Sequence, residues 1–145
     1  MPTWALPQPF ETVDHTADTG VRVAGASAEE ALARLVLAHA QLLAGGEPVE
    51  IERSAELDIP GADDLALVGV DVLRELNRLF CVERSIVASV EIQEISGERV
   101  RLRLELGTYD PERHSEGVDI KAVTFHAAEL REQGDAWVAQ VLFDI

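Results

Sequence analysis

The chain has 145 residues, 47% of them hydrophobic, with 27 acidic against 12 basic side chains and a net charge of −15. That length and apolar content predict one folded domain around one core and exclude a disordered chain. The charge argues against a sequence-independent grip on nucleic acid, which needs Lys and Arg to neutralise phosphates; it suits cation binding, a basic protein partner, or simply a solubilising surface.

Residues 1–9 hold three prolines and no basic n-region, so they read as a short lead-in, ordered or frayed, and not as a signal peptide. Residues 10–13 and 21–24 alternate like strands, which places Asp14-His15-Thr16-Ala17-Asp18 at the turn between them. Ser27 and Glu30 have capping-box spacing. Leu32, Leu35, Val36, His39, Leu42 and Leu43 then line one face of a helix that Gly45-Gly46 end. His39, on that apolar face, is expected to be a satisfied core or boundary residue. Residues 49–59 read as a strand, broken by Pro60-Gly61. Asp63 or Asp64 caps a second helix whose apolar face runs from Leu65 and Val68 to Leu76 and Phe80. Gly69 weakens that helix and is expected to permit close contact with a sheet. Cys81, following Phe80, is expected to be a buried thiol. As the single cysteine it allows neither an internal disulfide nor a cysteine metal cluster, and it suits a reducing compartment.

Strands dominate from Ile86 onward. Residues 86–92 and 100–106 alternate on either side of Ser96-Gly97, the second with Arg99, Arg101 and Arg103 on its wet face. Residues 107–117 form a polar loop, residues 118–131 begin as a strand, and Gly134-Asp135 turn into the last strand, 137–143. This order predicts an α+β fold, with two helices packed on one face of a mixed sheet. The expected organisation is a lead-in over 1–9 and a single domain over 10–145. No apolar run is long enough to span a membrane, and a cytoplasmic location is expected.

Three stretches stand outside these patterns: residues 14–18, residues 119–126 (Asp119-Ile120-Lys121-Ala122-Val123-Thr124-Phe125-His126), and the final Asp144-Ile145. They bring acids to the ends of apolar strands. Asp14, Asp18, Asp144 and the α-carboxylate of Ile145, with Asp110, Glu112 and Asp119 in or beside the long loop, are oxygen donors of the kind that hold Ca²⁺ or Mg²⁺. Gathering carboxylates is costly unless a cation or Lys121 compensates. The competing reading has Asp18 capping a turn and Asp144 solvated at a frayed end. Lys121 is the single lysine beside eleven arginines. That choice fits a need for a compact ammonium, and fits chance equally. His15, His114 and His126 lie near these stretches, but no zinc-binding spacing, nucleophile elbow or phosphate loop is present.

The stretch Phe-Glu-Thr-Val-Asp-His-Thr-Ala-Asp-Thr-Gly over 10–20, the helix over 29–44, the Asp64-Leu65 helix start, the 119–126 segment and the terminal Asp-Ile together resemble the archease family in order and spacing, over nearly the whole chain. The resemblance implies an accessory protein of RtcB-type RNA ligases, which seal tRNA halves or broken RNA. It would promote guanylylation of the ligase histidine and multiple turnover, would itself be no enzyme, and would meet tRNA only through the ligase. It implies a divalent cation, Ca²⁺ or Mg²⁺/Mn²⁺, held by Asp18, Asp144 and Ile145, and a functional role for Lys121. Asp14, His15, His114 and His126 match positions in the same motifs. The loop Gly107-Thr108-Tyr109-Asp110 departs from the Gly-Glu type expected there, and the proline-rich lead-in lies outside the pattern. A stand-alone metal-dependent hydrolase and a chaperone-like binding module are the alternatives.

Overall fold

The computed structural model describes residues 2–15 and 18–145, with only the main chain of His15. The described residues form β1 (Thr3–Ala5), β2 (Glu11–His15), β3 (Asp18–Gly25), α1 (Ala28–Ala44), β4 (Arg53–Pro60), α2 (Leu65–Glu83), β5 (Ser85–Ile95), β6 (Arg99–Thr108), β7 (Ala122–Gln133) and β8 (Ala136–Asp144). The class is α+β, as expected. The strands, however, divide into two four-stranded sheets, β1-β5-β6-β4 and β2-β3-β8-β7, in place of one mixed sheet. All their pairings are antiparallel. The reason lies in the connections. β5/β6 and β7/β8 are joined by short polar turns, which can only give antiparallel neighbours. Neither helix links two adjacent strands, so no parallel crossover arises.

Both helices touch both sheets. α1 packs on β1 and β5 of one and on β3 and β8 of the other, and α2 on β5 and on β7. The apolar stripe of α1 is only part of its buried surface: Ala31, Ala33, Ala38, Ala40 and Ala44 are buried too. Alanine on the remaining sides lets strands approach a helix that is covered all round. The caps follow the sequence. Ser27 Oγ accepts the Glu30 N–H at 3.1 Å, the Glu30 carboxylate accepts the Ala26 N–H at 2.8 Å, and Gly45 adopts φ 65°. Asp64, not Asp63, caps α2 by accepting the Ala66 N–H at 2.9 Å.

Several local expectations are corrected. The lead-in is ordered, one of its two readings, and contains β1, which pairs with β5. Residues 49–52 lie outside β4, and residues 118–121 outside β7. A Cβ on Gly69 would lie 3.2 Å from Leu35 Cδ2, so that glycine brings α2 close to α1 and not to a sheet. Cys81 is exposed, because one residue beyond Phe80 is about 100° round the helix from the core stripe. Among the described residues no helix is long and apolar enough to cross a membrane.

Candidate cation site at one end of a sheet

β3 and β8 bring an early and a late stretch of the chain into one antiparallel pair, in the register Asp18↔Asp144, Thr19↔Phe143, Gly20↔Leu142. Two acids 126 residues apart (144 − 18) therefore stand directly opposite each other. Opposed residues share a face of the sheet, with Cβ atoms about 4.5–5.5 Å apart. The alternate positions Val21, Val23, Ala139, Val141 and Phe143 are buried in the core. Asp18 and Asp144 therefore project from the other face, at the sheet's end. Gly20 makes this register possible, because a Cβ there would fall 2.6 Å from the Val141 carbonyl oxygen.

The flanking strands bring in the other motifs. On one side His15 pairs with Asp18, and Asp14 with Thr19. On the other, Ala122 pairs with Asp144, and the Lys121 N–H donates to the Asp144 carbonyl at 2.8 Å. His15, Asp18, Asp144 and Ala122 thus form one transverse row, with exposed Lys121 at its edge. Thr16 and Ala17 of the first motif, and the His15 side chain, lie outside the described residues.

Like charges placed directly opposite each other destabilise a strand pair. Among the described residues neither Asp18 nor Asp144 has an Arg or Lys partner in an ion pair. Among those residues no three His, Cys, Asp or Glu side chains group around a metal position. Ile145, the third predicted ligand, is 49% exposed. The two aspartates and a terminal carboxylate are hard oxygen donors, of the kind that hold Ca²⁺ or Mg²⁺.

The remaining predicted residues separate. Asp14 is exposed one row further in. His126 is exposed in a bulge of β7, where the register with β8 jumps between Thr124 and Glu129. Its N–H donates to Thr124 Oγ1 at 3.1 Å, while Ala127 turns with φ 57° and its carbonyl accepts Gln140 Nε2 at 3.0 Å. His114 is buried and committed elsewhere. Its Nδ1 accepts the Asp110 N–H at 2.8 Å, and its Nε2 lies 2.9 Å from the Pro48 carbonyl, which can only accept. This is the neutral Nε2–H tautomer fastening a loop. Asp110 sits in the same loop. The N–H groups of Glu112 and Arg113 hold its carboxyl below the usual range.

Sequence reasoning missed two residues beneath the site. Asn77 is buried on α2 and donates from Nδ2 to the Ile120 carbonyl at 3.0 Å. Arg74, one turn earlier, donates from Nε to the Val123 carbonyl at 3.1 Å. The available signal was a polar residue, Asn77, within the Leu73–Phe80 apolar stripe.

Residues 10–145 match the Archease protein family (MTH1598/TM1083). The chain is 35% identical over 142 residues to Protein archease of Methanosarcina mazei, covering 94% of this chain and 95% of that one. It is 30% identical over 147 residues to Protein archease of Pyrobaculum neutrophilum, covering 99% of each. The solution structure of Methanobacterium thermoautotrophicum protein 1598 matches with a TM-score of 0.72 at 27% identity, over 94% of this chain and 98% of that one. A Thermotoga maritima crystal structure, described as an archease and possible chaperone, shares the fold with a TM-score of 0.59 at 20% identity, over 97% and 98% of the two chains. The family match begins at the strand before Asp18 and ends with the strand that carries Asp144, and on that match the chain belongs to the archease family.

Proposed function

We propose that this protein is an accessory factor of an RtcB-type RNA ligase, acting in the cytoplasm in tRNA splicing or RNA repair, and that it promotes ligase guanylylation without joining RNA itself. The observation that carries the reading is the register opposing Asp18 to Asp144 with Lys121 tied to the same residue. It puts all three unusual stretches of the sequence on one sheet end. Asp18, Asp144 and the Ile145 carboxylate would hold a divalent cation, Ca²⁺ or Mg²⁺/Mn²⁺, which supplies a fixed positive centre when bound. The two aspartates stand on paired strands, so little main-chain order has to be gained on binding. Lys121, whose main-chain N–H is bonded to the Asp144 carbonyl, would supply an ammonium at the same edge. Asp14 and His15 lie beside the same end, and they, with His126 further along β7, would meet the ligase. The net charge of −15 suits a basic protein surface, leaving RNA to the ligase.

The test is transfer of GMP to a purified RtcB-type ligase, with and without this protein. Faster guanylylation and more turnovers are expected, and unchanged rates would reject the reading. Lys121→Arg should keep stability within about 0.5 kcal/mol, as exposed substitutions usually do. It should nevertheless lose most of the stimulation, because a planar guanidinium does not replace a compact ammonium. Full stimulation by the arginine variant would show that charge alone suffices there.

A further inference from the structure

A histidine and an asparagine are expensive in an apolar core unless both are satisfied. His39 on α1 is 1% exposed and Asn77 on α2 is 7% exposed. The Ile120 carbonyl can only accept, so the group of Asn77 facing it at 3.0 Å is its NH₂. That leaves Asn77 Oδ1 to face His39 Nε2 at 3.1 Å, and His39 must donate from Nε2. The pair therefore has one hydrogen-bonding arrangement, with a fixed amide and a fixed tautomer.

Its two ends reach the two segments that carry the candidate site. Asn77 holds the carbonyl of Ile120, itself 2% exposed and next in sequence to Lys121. The His39 ring lies 5.7 Å from the ring of Phe143, next in sequence to Asp144. Between these anchors the Lys121 N–H closes on the Asp144 carbonyl at 2.8 Å. Residues 118–121 belong to no strand, so this stretch depends on such individual bonds for its place, together with the Val118 N–H to the Leu42 carbonyl at 2.9 Å.

We infer that His39 and Asn77 are positioning residues that hold Lys121 and Asp144 in register from beneath, and so set the affinity of the candidate cation site. This rests on the reading of Asp18, Asp144 and Ile145 as cation ligands. Neither residue touches the cation. They act through Ile120 and Phe143, as groups behind metal ligands commonly do, where substitution typically costs about 10–100-fold in affinity.

The test compares the full-length wild type with Asn77→Leu, His39→Gln and Leu57→Ala. Leu57 lies in the core of the other sheet, so Leu57→Ala supplies a loss of stability remote from the site. Ca²⁺ affinity is measured by calorimetry at a temperature where circular dichroism shows every variant folded. Exchange of the Lys121 amide is followed by NMR in the absence of metal. Asn77→Leu should weaken Ca²⁺ binding about 10–100-fold and speed Lys121 exchange well beyond the Leu57→Ala protein. His39→Gln, which keeps a donor for Asn77 Oδ1 but loses the ring against Phe143, should fall between them. Lys121 exchange and Ca²⁺ affinity in Asn77→Leu no different from those in Leu57→Ala would overturn the positioning role. A wild type that binds no Ca²⁺ would overturn the cation reading instead, and the exchange comparison would still decide the positioning role.

Discussion

Asp144→Asn is expected to remove most of the stabilisation that Ca²⁺ gives the wild type, while leaving the metal-free protein as stable as before or slightly more so. Asp144 stands directly opposite Asp18 with no cationic partner in an ion pair among the described residues. Without metal, two opposed like charges cost about 0.2–1 kcal/mol, less where water screens them, and the asparagine relieves that cost. With metal the sign reverses. A ligand at about one hundred times its Kd stabilises the state that binds it by about 2.7 kcal/mol, which for a chain of this size raises Tm by roughly 5–10 °C. The amide keeps the shape of the side chain and removes one charge, so the shift should largely disappear. Thermal scans in EDTA, Ca²⁺ and Mg²⁺ read both signs, and the guanylylation assay should fall in parallel. Residues appended after Ile145 would turn its carboxylate into a neutral amide and should act in the same direction, more weakly, since a peptide carbonyl still coordinates Ca²⁺. A variant whose Tm rises with Ca²⁺ as much as that of the wild type would remove Asp144 from the ligand set.

The parts of this structure that were legible in the sequence are those written in local chemistry. The Ser27 cap, the Gly45 stop and the alternation of β6 each depend on neighbours within a few residues, and each is found. The division into two sheets was not legible. It is decided by which strands find each other across the chain, and β3 with β8 is the longest such closure. The acids at the ends of β3 and β8 could be singled out as unusual because apolar strands led into them. Their exact opposition depends on a register that periodicity alone cannot fix: a slip of one residue would have put Asp144 on the core face. His114 shows the opposite limit. It lies near the functional motifs in sequence, yet its two nitrogens are spent on the Asp110 N–H and the Pro48 carbonyl. Asn77 passed unnoticed because its partner is a main-chain carbonyl 43 residues away, and backbone partners leave no mark in side-chain patterns.

His39 should make the protein lose stability between neutral and mildly acidic pH. Complete burial pushes its pKa from 6.5 down to about 4, against the opposing influence of the Asn77 hydrogen bond. The unfolded chain therefore binds a proton that the folded chain refuses, and stability falls as pH falls. The contribution is full above pH 6.5 and is lost progressively down to about pH 4. Over that span, at about 1.4 kcal/mol per pH unit, the loss is about 3 kcal/mol, a large part of the net stability of a domain this size. The paired carboxylates act lower on the scale. Glu30 is held below its ordinary value chiefly by the Ala26 N–H, Glu75 by Arg78, and Glu129 by Arg22. Their contributions persist above the ordinary carboxylate value of 4.5 and are lost only as pH falls through their lower folded values. The window from pH 6.5 to 5 lies above the range in which these three act. Urea unfolding of the wild type and of His39→Gln across that window separates His39 from His15, His114 and His126, which both proteins share. The wild type should lose about 2 kcal/mol more than the variant between pH 6.5 and 5. Equal losses in the two proteins would mean that His39 accepts its proton in the folded state, which its complete burial opposes.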